Sequence, residues 1–224
     1  MNKKKLVRMA AVRFSPAPLV LGLMFFLPAG TLAYWQAWVY MVLIFIPMLF
    51  AVASFIKSAP EFLERRLRMR EKEQAQKAIQ ILGFPIYIVA FLLPGFDRRF
   101  GWSSVPTLLV VISDILVLAS YLFILRVFKV NAYASRVIEV EQGQKVITSG
   151  PYALVRHPMY LGVAVMYLFS PLALGSYWAI VPCVLIVVLL VPRILNEEKV
   201  LAGELEGYKE YTQQVRFRLI PGVW

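Results

Sequence analysis

The sequence predicts an all-α integral membrane protein of about six transmembrane helices, five at the least. Both termini fall on the cytoplasmic side, with a further helix in the cytoplasm after the last span. Three observations carry this. The chain has 224 residues, is 60% hydrophobic and has a mean hydropathy of +0.68, where soluble domains sit near ~45–50% apolar. Its apolar residues come in runs near the ~20 that cross a hydrocarbon core. Of its 24 Lys and Arg, all but Arg98 and Arg99 fall in segments that six spans place on one side. The positive-inside rule makes that side the cytoplasm. The net charge of +11 does not point to nucleic acid, because the basic residues flank apolar runs, where the lipid bilayer and its anionic headgroups are the natural partner. The single Cys183 sits inside an apolar run. It offers no intramolecular disulfide framework and no metal cluster, and reads as packing.

The chain reads as one membrane domain, 1–224, in two parts. Residues 1–128 hold four spans, and residues 129–224 carry the chemistry. Met1 to Arg13 contains Lys3, Lys4, Lys5, Arg8 and Arg13, ahead of an apolar run from Phe14 to about Ala33. A basic start before an apolar run also opens signal peptides. This run is long for that role and a second span follows at once, so the first span is expected to be retained. The second runs from Tyr34 to about Ile56, with Tyr34, Trp35 and Trp38 as an interfacial aromatic belt. Lys57 to Lys77 is charged throughout. Leu63, Leu67 and Met69 fit a helix lying in the headgroup layer; a solvated connector helix fits as well. The third span covers about Ala78 to Phe96, and Asp97, Arg98 and Arg99 form a short polar loop after it. The fourth covers about Val105 to Phe128 and includes Asp114. An ionisable residue at depth is a functional candidate, or one satisfied by a neighbouring helix.

Lys129 to Val155 is a long loop of mixed character. Val137, Ile138, Val140, Val146 and Ile147 flank a turn at Gln142-Gly143, which suggests a short extended hairpin or an ordered loop. Loops this long in compact proteins usually carry function. A fifth span follows from about Met159 to Leu174 and a sixth from about Tyr177 to Leu195. If this pair is a shallow hairpin, the parity of the termini still holds. Helical patterning continues through Tyr211.

Two motifs stand at the cytoplasmic ends of these last spans. The first, GPYALVRHPMYLG, spans Gly150 to Gly162 and holds the only histidine, His157. Pro158 suits the first turn of a helix, so His157 falls at its cap. The free N–H groups of Met159 and Tyr160 then offer a place for a carboxylate or phosphate. Gly162 admits the close approach of another backbone or a ligand. Tyr152 and Tyr160 could hold a flat ring or donate a hydroxyl. A basic, aromatic membrane anchor is the competing reading. The second motif, RILNEE, spans Arg193 to Glu198. Arg193 and Glu197 are four apart on one helix face, and Glu198 points about 100° away, free for a separate role. A local salt bridge with Arg193 reaching the headgroups competes here. Together the motifs set a cation for an anionic substrate beside a carboxylate for a cationic ligand.

These residues resemble the isoprenylcysteine carboxyl methyltransferase family. The resemblance covers about Asn131 to Pro221. It rests on VITSGPYALVRHPMYLG, RILNEE, the tyrosines of GYKEY and the closing RFRLIPG, in that order and spacing. It implies a membrane enzyme that moves a methyl group from S-adenosyl-L-methionine to a lipophilic or prenylated substrate at the cytoplasmic face. The implied cofactor contacts are Gln144, Lys145, Val146 and Ile147 in the loop, then Tyr152, His157, Pro158, Met159, Tyr160 and Glu197. Arg193 is the implied substrate-binding arginine, and Arg193 and Glu197 the implied catalytic pair. Eukaryotic members carry a glutamine upstream of the loop, near the place of Val137 here. The short chain and basic N-terminus suggest a prokaryotic-type member of the plasma membrane.

Methyl transfer to a carboxylate needs no general base, because the nucleophile is ionised at neutral pH, with an ordinary pKa near ~3.5–4. The protein then supplies position and charge. A general-base role for His157 would suit an amine or thiol acceptor. Two other functions compete. Membrane sterol reductases that use NADPH carry a similar RHPxYxG block, often with a glutamate after the glycine where this chain has Val163. A non-enzymatic scaffold or transporter would need no cofactor pocket.

Overall fold

A computed structural model describes residues 3–67, 73–134, 137, 140–141 and 143–224. The described residues are helical, with no strand. The elements are α1 (Lys3–Phe14), α2 (Pro16–Ala29), α3 (Trp35–Ser58), α4 (Pro60–Arg66), α5 (Gln74–Phe100), α6 (Thr107–Val130), a 3-10 turn at Gly150–Ala153, α7 (Pro158–Ala173), α8 (Ile180–Glu204) and α9 (Tyr208–Gln214).

Among the described residues, five segments are long and apolar enough to cross a membrane: Lys4–Ala29, where α1 runs into α2, then α3, α5, α6 and α8. Large apolar side chains such as Leu19, Phe50, Ile81 and Leu108 stay exposed on the outside of the bundle, as a lipid-facing surface requires. The expected fifth span is α7, whose 16 residues rise only about 24 Å. It nevertheless joins the same two ends as its neighbours. At its start Tyr160 meets Arg193, which also holds Gln76 at the beginning of α5. Just past its end Ser176 meets Asp97 near the end of α5. The described residues thus hold five segments of crossing length and this shorter apolar helix packed beside them.

Gly162 lets α7 lie against α6: a Cβ there would fall 2.6 Å from Ile124 Cγ1. The close approach that this glycine predicts is therefore made by a helix, as in membrane bundles packed through small residues.

Several sequence expectations shift. The first helix begins at Lys3, not near Phe14. Leu6 and Ala10 are buried with Phe55, Phe62, Leu63 and Leu67, while Lys4, Lys5 and Arg8 stay exposed. The charged segment after α3 forms α4, whose Phe62 and Leu63 join that core instead of facing headgroups or solvent; Met69 lies outside the described residues. Tyr34 is fully buried and its hydroxyl donates to the Leu174 carbonyl, so only Trp35 and Trp38 remain for an aromatic belt.

Asp97 is not in a loop. It is buried within α5 and accepts from Ser103 N–H at 2.7 Å, from Ser103 Oγ at 2.6 Å and from the Ser176 hydroxyl. A carboxylate removed from water is tolerable only when so satisfied, and this one ties three segments together at the end of the bundle away from Arg193. Tyr177 is held there too, its N–H donating to Ser103 Oγ at 3.0 Å. The helix α8 starts at Ile180 and not at Tyr177. It then runs to Glu204.

The expected hairpin is absent among the described residues between 137 and 149. Gln144 N–H closes a turn on the Glu141 carbonyl at 3.0 Å, and Gly143 has φ +76°, but no strand ladder follows. Ile138 and Gln142 lie outside the described residues. Asp114 is buried on α6, and its Oδ1 has no hydrogen-bond partner among the described residues.

Candidate active site

The loop between α6 and α7 is bolted down from several sides. Arg65 of α4 donates from Nε to Glu141 Oε2 at 2.7 Å and from Nη1 to the Ala132 carbonyl at 3.0 Å. Asn131 ends α6, accepts from Tyr133 N–H at 2.9 Å and donates to the Tyr152 hydroxyl at 2.9 Å. Tyr211 of α9 donates to the Tyr152 carbonyl at 2.7 Å. Burial pushes the Tyr152 hydroxyl up to about 12, against the lowering effect of the Asn131 bond. It therefore stays protonated at neutral pH.

Glu198 is the hub of a buried cation cluster. Its Oε1 accepts from Arg156 Nε at 2.7 Å and lies 3.2 Å from His157 Nε2; its Oε2 accepts from Arg218 Nε at 2.8 Å. Arg156 also donates to the Val215 carbonyl at 3.2 Å. The backbone N–H groups of Arg156 and His157 donate to the Phe217 and Arg218 carbonyls, each at 2.9 Å. The separate role open to Glu198 is thus bracing: it pins the segment after α9 to the start of α7. Charges at this depth persist because each is paired and further hydrogen-bonded.

Glu197, one residue earlier, points into different company. Tyr160 donates its hydroxyl to Glu197 Oε2 at 2.6 Å and accepts from Arg193 Nε at 2.9 Å. The i, i+4 pair of α8 is therefore joined through a tyrosine of α7. Gln76 extends the chain, accepting from Arg193 Nη1 at 3.0 Å. At the margin, Arg66 lies over the Phe128 ring at 4.5 Å, and its Nη1 is 4.0 Å from Met159 Sδ.

These groups surround one recess, whose non-protein space is about 870 Å³ with the solvent at its mouth included. Gln144, Lys145, Val146, Ile147, Tyr152, His157, Met159, Tyr160, Arg193 and Glu197 all line it. Pro158 does not; it is fully buried and starts α7. The N-cap His157 makes no side-chain capping bond to that helix. Sequence reasoning missed Asn131, Tyr133, Ala134, Leu201, Leu205 and any role for Tyr208 and Tyr211, which also line the recess. A four-residue step from Glu197 along α8 would have found Leu201 and Leu205. Tyr208 is buried and its hydroxyl has no hydrogen-bond partner among the described residues. Val137 also lines the recess. Asp114 does not line it.

The recess thus combines a carboxylate, a guanidinium, an uncapped helix start and apolar and aromatic walls. The sequence profile of the Isoprenylcysteine carboxyl methyltransferase (ICMT) family matches residues 109–203. No curated protein matches the chain. Among solved structures, the chain is similar to the eukaryotic intramembrane Ras methyltransferase, isoprenylcysteine carboxyl methyltransferase, with a TM-score of 0.55 and 17% identity. That match covers 91% of this chain and 74% of the other; at this identity it speaks for the fold. The profile match favours methyl transfer over the reductase and scaffold readings. Across α6 to α8 the chain is thus similar to the isoprenylcysteine carboxyl methyltransferase family, and over nearly its whole length it shares the membrane fold of a solved member.

Proposed function

We propose that the protein transfers a methyl group from S-adenosyl-L-methionine to the carboxylate of a lipophilic, prenylcysteine-like substrate at the cytoplasmic face of the membrane. One observation carries this reading: the Arg193–Tyr160–Glu197 chain of hydrogen bonds lies in the same recess as the loop 144–147 and Tyr152.

The residues fit the cofactor by their chemistry. Its ammonium calls for a carboxylate, and Glu197 is held at the recess by Tyr160. Its carboxylate suits the uncapped start of α7, where backbone N–H groups and the helix dipole favour an anion. Its base suits an apolar, aromatic wall, for which Val146, Ile147, Leu201 and Leu205 are available. The orphaned Tyr208 hydroxyl beside this wall is a buried polar group that a bound ligand could satisfy. When bound, the cofactor supplies a sulfonium-activated methyl group.

The protein's own residues then do positional work. Arg193 holds the acceptor carboxylate, with its guanidinium oriented by Tyr160. Tyr160 shares one hydroxyl between Arg193 and Glu197, which fixes the spacing of the anion-binding and cation-binding groups. No residue needs to remove a proton, so His157 serves as a brace on Glu198 and as part of the recess wall. The part 129–224 forms this site, while the four earlier traversals supply the membrane body on which it rests. The charge distribution supports a cytoplasmic site and cytoplasmic termini: the site end carries nearly all the Lys and Arg, in keeping with the positive-inside rule, and the setting we propose is a prokaryotic-type plasma membrane.

Calorimetry of S-adenosyl-L-methionine with the purified protein in detergent tests the reading. Micromolar binding is expected. Well-folded protein that binds none would remove it.

A further inference from the structure

We propose that Gln76 is a positioning residue that fixes the Arg193 guanidinium for an acceptor carboxylate, an inference that rests on the methyl-transfer reading above. Gln76 lies in the first turn of α5, outside the residues that match the family profile. Its neighbours Gln74, Ala75 and Ala78 are exposed, yet its own exposure is 0%. A buried primary amide is costly unless both of its ends are hydrogen-bonded. Both are, and to a single residue: Oε1 accepts from Arg193 Nη1 at 3.0 Å, and Nε2 donates to the Arg193 carbonyl at 3.1 Å.

This double contact matters because arginine is a long side chain with many rotamers. Gln76 holds the main chain and the guanidinium at once, while Tyr160 holds Nε from the other side. An amide achieves all this without adding charge. A carboxylate in its place would keep the Nη1 contact, lose the donor to the Arg193 carbonyl, and set a negative charge against the anion that Arg193 is meant to attract.

The test compares binding of N-acetyl-S-farnesylcysteine and its methyl ester to the full-length protein in detergent, for wild type, Gln76→Met and Gln76→Glu. Wild type should prefer the acid. Gln76→Met, close in volume, should weaken acid binding by about tenfold or more while leaving the ester unchanged, the size expected for losing a hydrogen bond to a charged group. Gln76→Glu should weaken it at least as much, although it keeps the size and one acceptor atom. Equal loss for acid and ester would reduce Gln76 to structural support. Retention of the acid preference in both variants, or its absence in wild type, would overturn the proposal. Calorimetry of S-adenosyl-L-methionine on the same wild-type sample judges the underlying reading separately. A Gln76-dependent acid preference without cofactor binding would sink methyl transfer and leave the Gln76–Arg193 clamp standing.

Discussion

Tyr160 and Glu197 meet at the recess through a 2.6 Å hydrogen bond from the tyrosine hydroxyl to Oε2, and the same hydroxyl accepts from Arg193 at 2.9 Å. One oxygen therefore sets the relative position of a carboxylate and a guanidinium that the helix repeat alone places only on a common face. Tyr160→Phe removes this oxygen and keeps the ring. Hydrogen bonds to charged groups contribute ~1.5–3 kcal/mol, so kcat/KM for N-acetyl-S-farnesylcysteine should fall by roughly 10- to 100-fold. The circular dichroism spectrum should be unchanged. Wild-type kinetics in the variant would show that the shared hydroxyl is dispensable.

Glu197 and Arg193 should separate by ligand. Glu197→Ala is expected to weaken S-adenosyl-L-methionine binding in calorimetry, and Arg193→Ala to lower acceptor turnover with cofactor affinity largely kept. Equal cofactor affinity in wild type and Glu197→Ala would refute the assignment of Glu197.

Glu198 should matter for stability first. It faces Arg156, His157 and Arg218, and the side chains of Arg156 and His157 are 7% and 4% exposed. Removing one partner of a buried ion pair costs ~3–5 kcal/mol, because the other charges stay behind. Glu198→Ala should lower the melting temperature in detergent markedly more than Glu197→Ala does. A melting temperature equal to that of wild type would mean that this cluster does not hold the segment after α9 in place.

Gly162 should reject a methyl group. A Cβ there would fall 2.6 Å from Ile124 Cγ1 and 3.2 Å from Phe123 Cδ1, and overpacking typically costs ~1–3 kcal/mol. Gly162→Ala should therefore destabilise the protein, and the double variant with Ile124→Ala should recover part of the loss. An additive double variant would place the strain elsewhere.

The legible part of this chain was periodic or local. Apolar runs marked the membrane helices, the basic residues grouped to one end, and the two motifs together with the loop 144–147 named ten residues that line the recess. The i, i+4 spacing of Arg193 and Glu197 placed both on one face, but it could not show the hydroxyl of Tyr160 standing between them. Asp97 was read as loop because it sits among charges, whereas two donors from nearby Ser103 and one from distant Ser176 make it a buried knot. Gln76 gave no signal at all, since a glutamine near the start of an apolar helix reads as solvated surface.

By itself the sequence determined an all-α membrane protein, the order of its apolar segments, and the side chains available for anion and cation binding. Span length, helical repeat and charge asymmetry are properties of neighbouring residues, and they survive without knowledge of the fold. Tertiary structure alone decided which of two adjacent glutamates faces the recess and which braces it. It also brought α5 to Arg193, closed the recess with Tyr208 and Tyr211, and showed Gly162 spent on a helix contact. Each of these depends on partners far apart in the chain, and a buried polar group's role is set by the donors and acceptors that surround it in space.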